Sequence, residues 1–164
     1  HRALHTMRRK EVDQIVEPCP GIYSVLALLK KHNIPLALAS NGLGKGYGHD
    51  VLKTFGLEQY FRATIFREDV KKSKPHPEGI LLALKHIGVE VTDQDTVWHI
   101  GDRHKDVTAA LAASEHTPAR IVPIAYGVNA ALAIIEKGQN PEQIIMAYHE
   151  MHDQLRGLLE SKNG

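Results

Sequence analysis

One cysteine, Cys19, occurs in the 164 residues. It has no partner for an intramolecular disulfide, which fits a chain kept in the reducing cytoplasm. No apolar run reaches the roughly 18 residues that span a bilayer, and no signal peptide stands at His1. Neither sign of charge dominates: 20 Lys and Arg face 19 Asp and Glu, for a net charge of +1. That balance argues against nucleic acid or an acidic membrane surface as the partner. A phosphorylated ligand would need positive charge gathered locally. No internal repeat or low-complexity tract is present.

What remains is an ordinary globular composition, 43% hydrophobic, long enough for one domain with a sizeable core. Helical spacing of Ile22, Val25, Leu26 and Leu29 predicts a helix over 21–32. A strand is expected over 34–39, a helix over 44–55 stopped by Gly56, and a strand over 63–67. Then come a helix over 77–86, a strand over 96–100, a helix over 106–114, a strand over 120–126 and helices over 129–137 and 141–159. Strands alternating with helices of this length indicate an α/β fold, a parallel sheet with helices on both faces.

The most informative stretch is Val97-Trp98-His99-Ile100-Gly101-Asp102-Arg103-His104-Lys105-Asp106. An apolar strand ends in Gly-Asp, and a second acid follows four residues later as a helix begins. Two carboxylates at the carboxyl edge of a parallel sheet form a candidate magnesium site. Each has a bland account as well: Asp102 as a helix cap, Asp106 as an acid at the positive end of the following helix. Upstream, the strand over 34–39 ends in Ser40-Asn41-Gly42, a hydroxyl, an amide and a glycine suited to a phosphate oxygen or simply to a turn. Between these strands Lys74 is held extended by Pro75, so its ammonium can be aimed at an anion.

Other residues invite chemistry less strongly. Gly42, Gly44, Gly46 and Gly48 match neither the dinucleotide nor the P-loop spacing and read as a flexible approach to a helix. Lys45 reads as solvated, as do Lys71 and Lys72. His149-Glu150-Met151-His152 misses the zinc-protease spacing by one residue and reads as a solvated helix face. His99 is expected to be a hydrogen-bonded core histidine, and His104 a substrate contact.

The ordered set Ser40, then Lys74-Pro75, then Gly101-Asp102 with Asp106 resembles the second, third and fourth motifs of haloacid dehalogenase superfamily hydrolases, over about Pro20 to Tyr126. The resemblance implies a Rossmann-like core over 18–164 and, over 1–17, the end of a helical cap and its linker. It implies Mg²⁺ held by Asp102 and Asp106, and phosphoryl oxygens held by Ser40, Asn41, Gly42 and Lys74. Ser40 and Lys74 would also serve catalysis. The substrate would be a small phosphorylated metabolite, hydrolysed through an aspartyl-phosphate. The family's first motif, an Asp-x-Asp-Gly-Thr-like sequence on the central strand, is not found on any opening strand. The resemblance therefore implies that the nucleophile and most of the cap lie on a segment outside this chain, which alone would fold poorly and lack activity. A non-catalytic phosphate-binding module, a phosphomutase, a phosphonatase and a metal-free dehalogenase stand as alternatives. The pattern leaves oligomeric state open.

Overall fold

The structure, a computed structural model, describes residues 21–42 and 44–163. Cys19 and the expected cap and linker over 1–17 lie outside the described residues. In chain order the elements are α1 (Ile22–Lys31), β1 (Ala37–Ala39), α2 (Lys45–Thr54), β2 (Ala63–Ile65), α3 (Glu78–His86), β3 (Thr96–Gly101), α4 (His104–Ser114), β4 (Arg120–Tyr126), α5 (Val128–Glu136), β5 (Ile144–Ile145) and α6 (Tyr148–Asn163). Every strand pairing is parallel. The helix expected over 141–159 is a correction. Pro141–Gln143 is a single 3-10 turn, Ile144–Ile145 pair with Ala125 and Tyr126 of β4, and only then does α6 begin. Asn140 caps that turn by accepting from the Glu142 N–H at 2.9 Å.

The expected single sheet is split in two. β1 pairs with β2, and β3, β4 and β5 form a separate sheet in that order. A cavity of about 1480 Å³ is lined by Leu36–Ala39 on one side and Thr96–Ile100 on the other. Burial tells the same story strand by strand. In β4, which has a strand on either side, four residues are buried, whereas Ile100 of β3 is 37% exposed and all three residues of β1 are only half-buried. The strands that line the cavity are the ones left incompletely covered. Unpaired backbone groups along such edges need partners, and water serves them poorly beside apolar walls.

Strand periodicity assigns the two faces of the larger sheet. Val122, Ile124 and Tyr126 pack with Trp98 against α1 and α6, through Val25, Leu29, Met151 and Leu155. Ile121 and Ala125 face the other way, onto α3, α4 and α5. The alanines of α4, Ala109, Ala110 and Ala113, are fully buried and let that helix approach the sheet closely. Around β2 a smaller core gathers Val51, Leu52 and Phe66.

Gly48 departs from the flexible-loop expectation. It is buried within α2, and a Cβ there would stand 2.3 Å from the ring of Phe66, itself 0% exposed. Gly48→Ala should therefore lower stability by about 1–3 kcal/mol through overpacking, in spite of the better helix propensity of alanine. Chemical denaturation of the two proteins, each completed with an Asp-x-Asp strand, checks this.

Candidate active site

Parallel strands run their carboxyl ends to one edge, and β1 and β3 deliver Ser40 and Asp102 there. Ser40 is buried, 8% exposed, and its backbone N–H donates to the Ile65 carbonyl at 2.9 Å, extending the β1–β2 ladder. The next residue, Asn41, clamps the lysine loop in both directions. Its Nδ2 donates to the Lys74 carbonyl at 3.2 Å, and its Oδ1 accepts the Lys74 N–H at 3.3 Å. Asn41 thus orients the loop. Gly42 is half-buried beside it. The Lys74-Pro75 peptide is cis.

The Lys74 ammonium crosses the carboxyl end of the cavity. Its Nζ donates to the Ala39 carbonyl of β1 at 3.2 Å and lies 2.6 Å from Asp106 Oδ1 on α4. The second contact is an ion pair, without the alignment of a hydrogen bond. Both side chains are nearly enclosed, 11% and 6% exposed. One cation therefore ties the two half-sheets together at this edge.

Asp106 stands at the third position of α4, where its Oδ2 accepts the Arg103 N–H at 3.1 Å. Burial opposes its ionisation, but the neighbouring His99 and Lys74 outweigh this and hold the carboxyl well below the usual carboxylate range. The acid-at-a-helix-end account of Asp106 therefore describes it well, and its charge is already matched. Gly101 is needed for this packing: a Cβ on it would come within 2.3 Å of the Asp106 side chain.

Asp102 is different. Its carboxylate is exposed, with no hydrogen bond or ion pair among the described residues. It offers free hard oxygens at the sheet edge, the donor chemistry that magnesium takes, usually from one or two carboxylates with waters completing the shell. Among the described residues no group of three or more His, Cys, Asp or Glu side chains is arranged to hold a metal. The residues present fit one direct ligand, Asp102, with Asp106 behind it as a neutralised acid.

Several neighbours are engaged elsewhere. His104 Nε2 lies 3.1 Å from Glu136 and its N–H donates to Asn129 at 2.8 Å, so it anchors the Asp102 loop to α5. Lys45 pairs with Asp69 at 3.2 Å instead of standing free, and its N–H is taken by Glu68. Lys71 and Lys72 are exposed, and so is His149, while His152 is half-buried. His99 corrects the expectation of a hydrogen-bonded core histidine: its Nε2 is buried with no hydrogen bond among the described residues, 3.6 Å from Asp106. Asp93-Gln94-Asp95 has Asp-x-Asp spacing, but it precedes β3 and so lies at the opposite edge from Asp102. There Asp95 accepts from the Thr92 N–H at 2.8 Å. No described helix is long and apolar enough to cross a membrane.

Comparison with known proteins finds relatives among phosphatases. The chain is 28% identical over 154 residues to a phosphorylated carbohydrates phosphatase of Thermotoga maritima, covering 92% of this chain and 68% of that one. It is 30% identical over 145 residues to phosphoglycolate phosphatase 1 of Pseudomonas aeruginosa, covering 88% and 47%. The crystal structure of a HAD-superfamily hydrolase from Ehrlichia chaffeensis superposes with a TM-score of 0.68 at 26% identity, over 86% of this chain and 58% of that one. The chain thus spans about half to two thirds of the length of these relatives. The family model for haloacid dehalogenase-like hydrolases matches residues 1–118, and with the split parallel sheet and the Ser40, Lys74 and Asp102 edge the chain belongs to that family.

Proposed function

We propose that this chain is the greater part of a magnesium-dependent phosphohydrolase acting on a small phosphomonoester, with residues 1–17 the end of its cap and residues 18–164 its core. The observation that carries the reading is the Lys74 ammonium, held between the two half-sheets by Asp106 and by Ala39, which lines the cavity between them. A strand seated there would end beside Lys74, Ser40 and Asp102. The first aspartate of its Asp-x-Asp sequence is the nucleophile of this scheme.

In that scheme the first aspartate's oxygen attacks phosphorus, the P–O bond to the substrate alcohol breaks, and the departing oxygen takes a proton from the second aspartate of the same Asp-x-Asp segment. Water then attacks the aspartyl-phosphate, releasing inorganic phosphate and restoring the carboxylate. Lys74 holds the nucleophile and a phosphoryl oxygen by charge, and Ser40 with the backbone around Asn41 and Gly42 donates to the others. Asp102 would bind magnesium, which offsets phosphoryl charge as it builds. Asp106 contributes by fixing Lys74, and would support the ion only from behind Asp102. Relatives named for phosphoglycolate and for phosphorylated carbohydrates support a small phosphorylated metabolite as substrate.

In the protein completed with an Asp-x-Asp strand, Asp102→Asn should cut aryl-phosphate turnover by about a hundredfold or more while sparing the fold. It should also raise the magnesium needed for half-maximal rate. Unchanged turnover at limiting magnesium would remove Asp102 from the metal. A second reading, a non-catalytic phosphate-binding module, is favoured by the neutralised state of Asp106, which leaves one free acid at the edge. The same assay separates the two, because the module would bind phosphate without turning over at any magnesium concentration.

A further inference from the structure

Asp106 faces two side chains at one oxygen. Lys74 Nζ lies 2.6 Å from Oδ1, and His99 Nε2 lies 3.6 Å from the same atom. His99 sits on β3 two residues before Gly101, so period-2 alternation turns it, like Gly101, toward α4. Its side chain is 13% exposed, and its Nε2 finds no acceptor elsewhere among the described residues. At 3.6 Å the contact is too long for a hydrogen bond. Yet a buried polar nitrogen left unpaired is costly, and the carboxylate beside it is the acceptor at hand.

The mechanism makes a demand that this arrangement answers. A buried carboxylate whose only close cation is Lys74 holds that cation hard, since removing it leaves an uncompensated charge. An ammonium so held serves an incoming anion poorly. We propose that His99 is a positioning residue: its Nε2–H is the second donor to Asp106 Oδ1, closing the remaining gap as the Lys74 ammonium turns toward an anion at the sheet edge. Asp106 then stays satisfied while Lys74 is shared. The inference takes from the phosphohydrolase reading only the identity of that anion.

The test has two arms. In the first, nitrogen-15 NMR of the protein completed with the nucleophile strand locates the proton on the His99 ring. A proton on Nε2, with a resonance displaced by Asp106→Asn and unmoved by Asp102→Asn, is expected. A proton on Nδ1, or an averaged signal indifferent to Asp106→Asn, overturns the proposal. In the second, kcat/KM is measured in the protein completed with the nucleophile strand. His99→Gln, which sets an amide N–H near the Nε2 position, should stay within about threefold of the parent. His99→Asn and His99→Leu should lose about tenfold or more. Equal losses in the Gln and Asn variants would overturn the proposal, and this pair decides even if the Leu variant fails to fold. If the unsubstituted protein has no turnover, the phosphohydrolase reading falls while the NMR arm still judges His99.

Discussion

Residues 1–164 alone should show no cooperative thermal transition and no phosphatase activity, and adding a segment that carries an Asp-x-Asp strand should restore both. The expected rise in stability follows from the cavity between β1 and β3, lined by Leu38, Val97 and Trp98 among others and bordered by strand edges that have no partner among the described residues. A parallel strand seated there would pair its backbone on both sides and bury apolar side chains on both faces, against Val25 and Leu155 on one and Ile80 and Ala83 on the other. Each fully buried Val, Leu or Ile contributes about 1.5–3 kcal/mol, so a five-residue segment can exceed the entropy lost in ordering it. Scanning calorimetry with and without the segment measures the effect. A sharp transition in the isolated chain would refute the open-slot account of its stability.

Lys74→Met should be the most damaging single change at the site. It leaves Asp106, 6% exposed, without its cation, and breaking one side of a buried pair typically costs about 3–5 kcal/mol. The penalty should depend on pH in a defined direction. In the parent, the Asp106 carboxyl is held below its ordinary range, so its contribution is complete above the unfolded value of about 3.9 and is lost as pH falls beneath it. In the variant the part of that depression supplied by Lys74 is gone, while His99 still stands beside the carboxyl. The stability gap between the two proteins, each completed with the Asp-x-Asp strand, should therefore narrow as pH falls through 4, which urea denaturation at several pH values can follow. Turnover should fall about a hundredfold or more with it, since a preorganised cation is lost from the phosphoryl site.

Local patterns made much of this visible in advance. Gly101-Asp102 after an apolar strand, Ser40 after another and Lys74 ahead of a proline are short signals, and parallel topology sends them to one edge. The separation of β1 from β3 among the described residues accords with the expected gap between the Ser40 and Asp102 strands. What stayed hidden depends on contacts between distant residues. That Lys74 spends its charge on Asp106, at 2.6 Å, follows from how α4 packs on β3, and no spacing in the sequence encodes it. Likewise Gly48 is required by Phe66, which lies 18 positions away and reaches it only through the β2 core. β5 escaped notice because two residues, Ile144 and Ile145, carry too short a pattern to distinguish strand from helix.

The central claim is that this edge completes a phosphohydrolase when a nucleophile strand enters the cavity. The direct measurement is aryl-phosphate hydrolysis with magnesium, using residues 1–164 alone, then with an Asp-x-Asp segment fused or added, then with that segment's first aspartate changed to asparagine. Turnover only in the second case is the predicted result. Magnesium-dependent turnover by residues 1–164 alone that is abolished by Asp102→Asn would contradict it, because the attacking group would then lie within this chain.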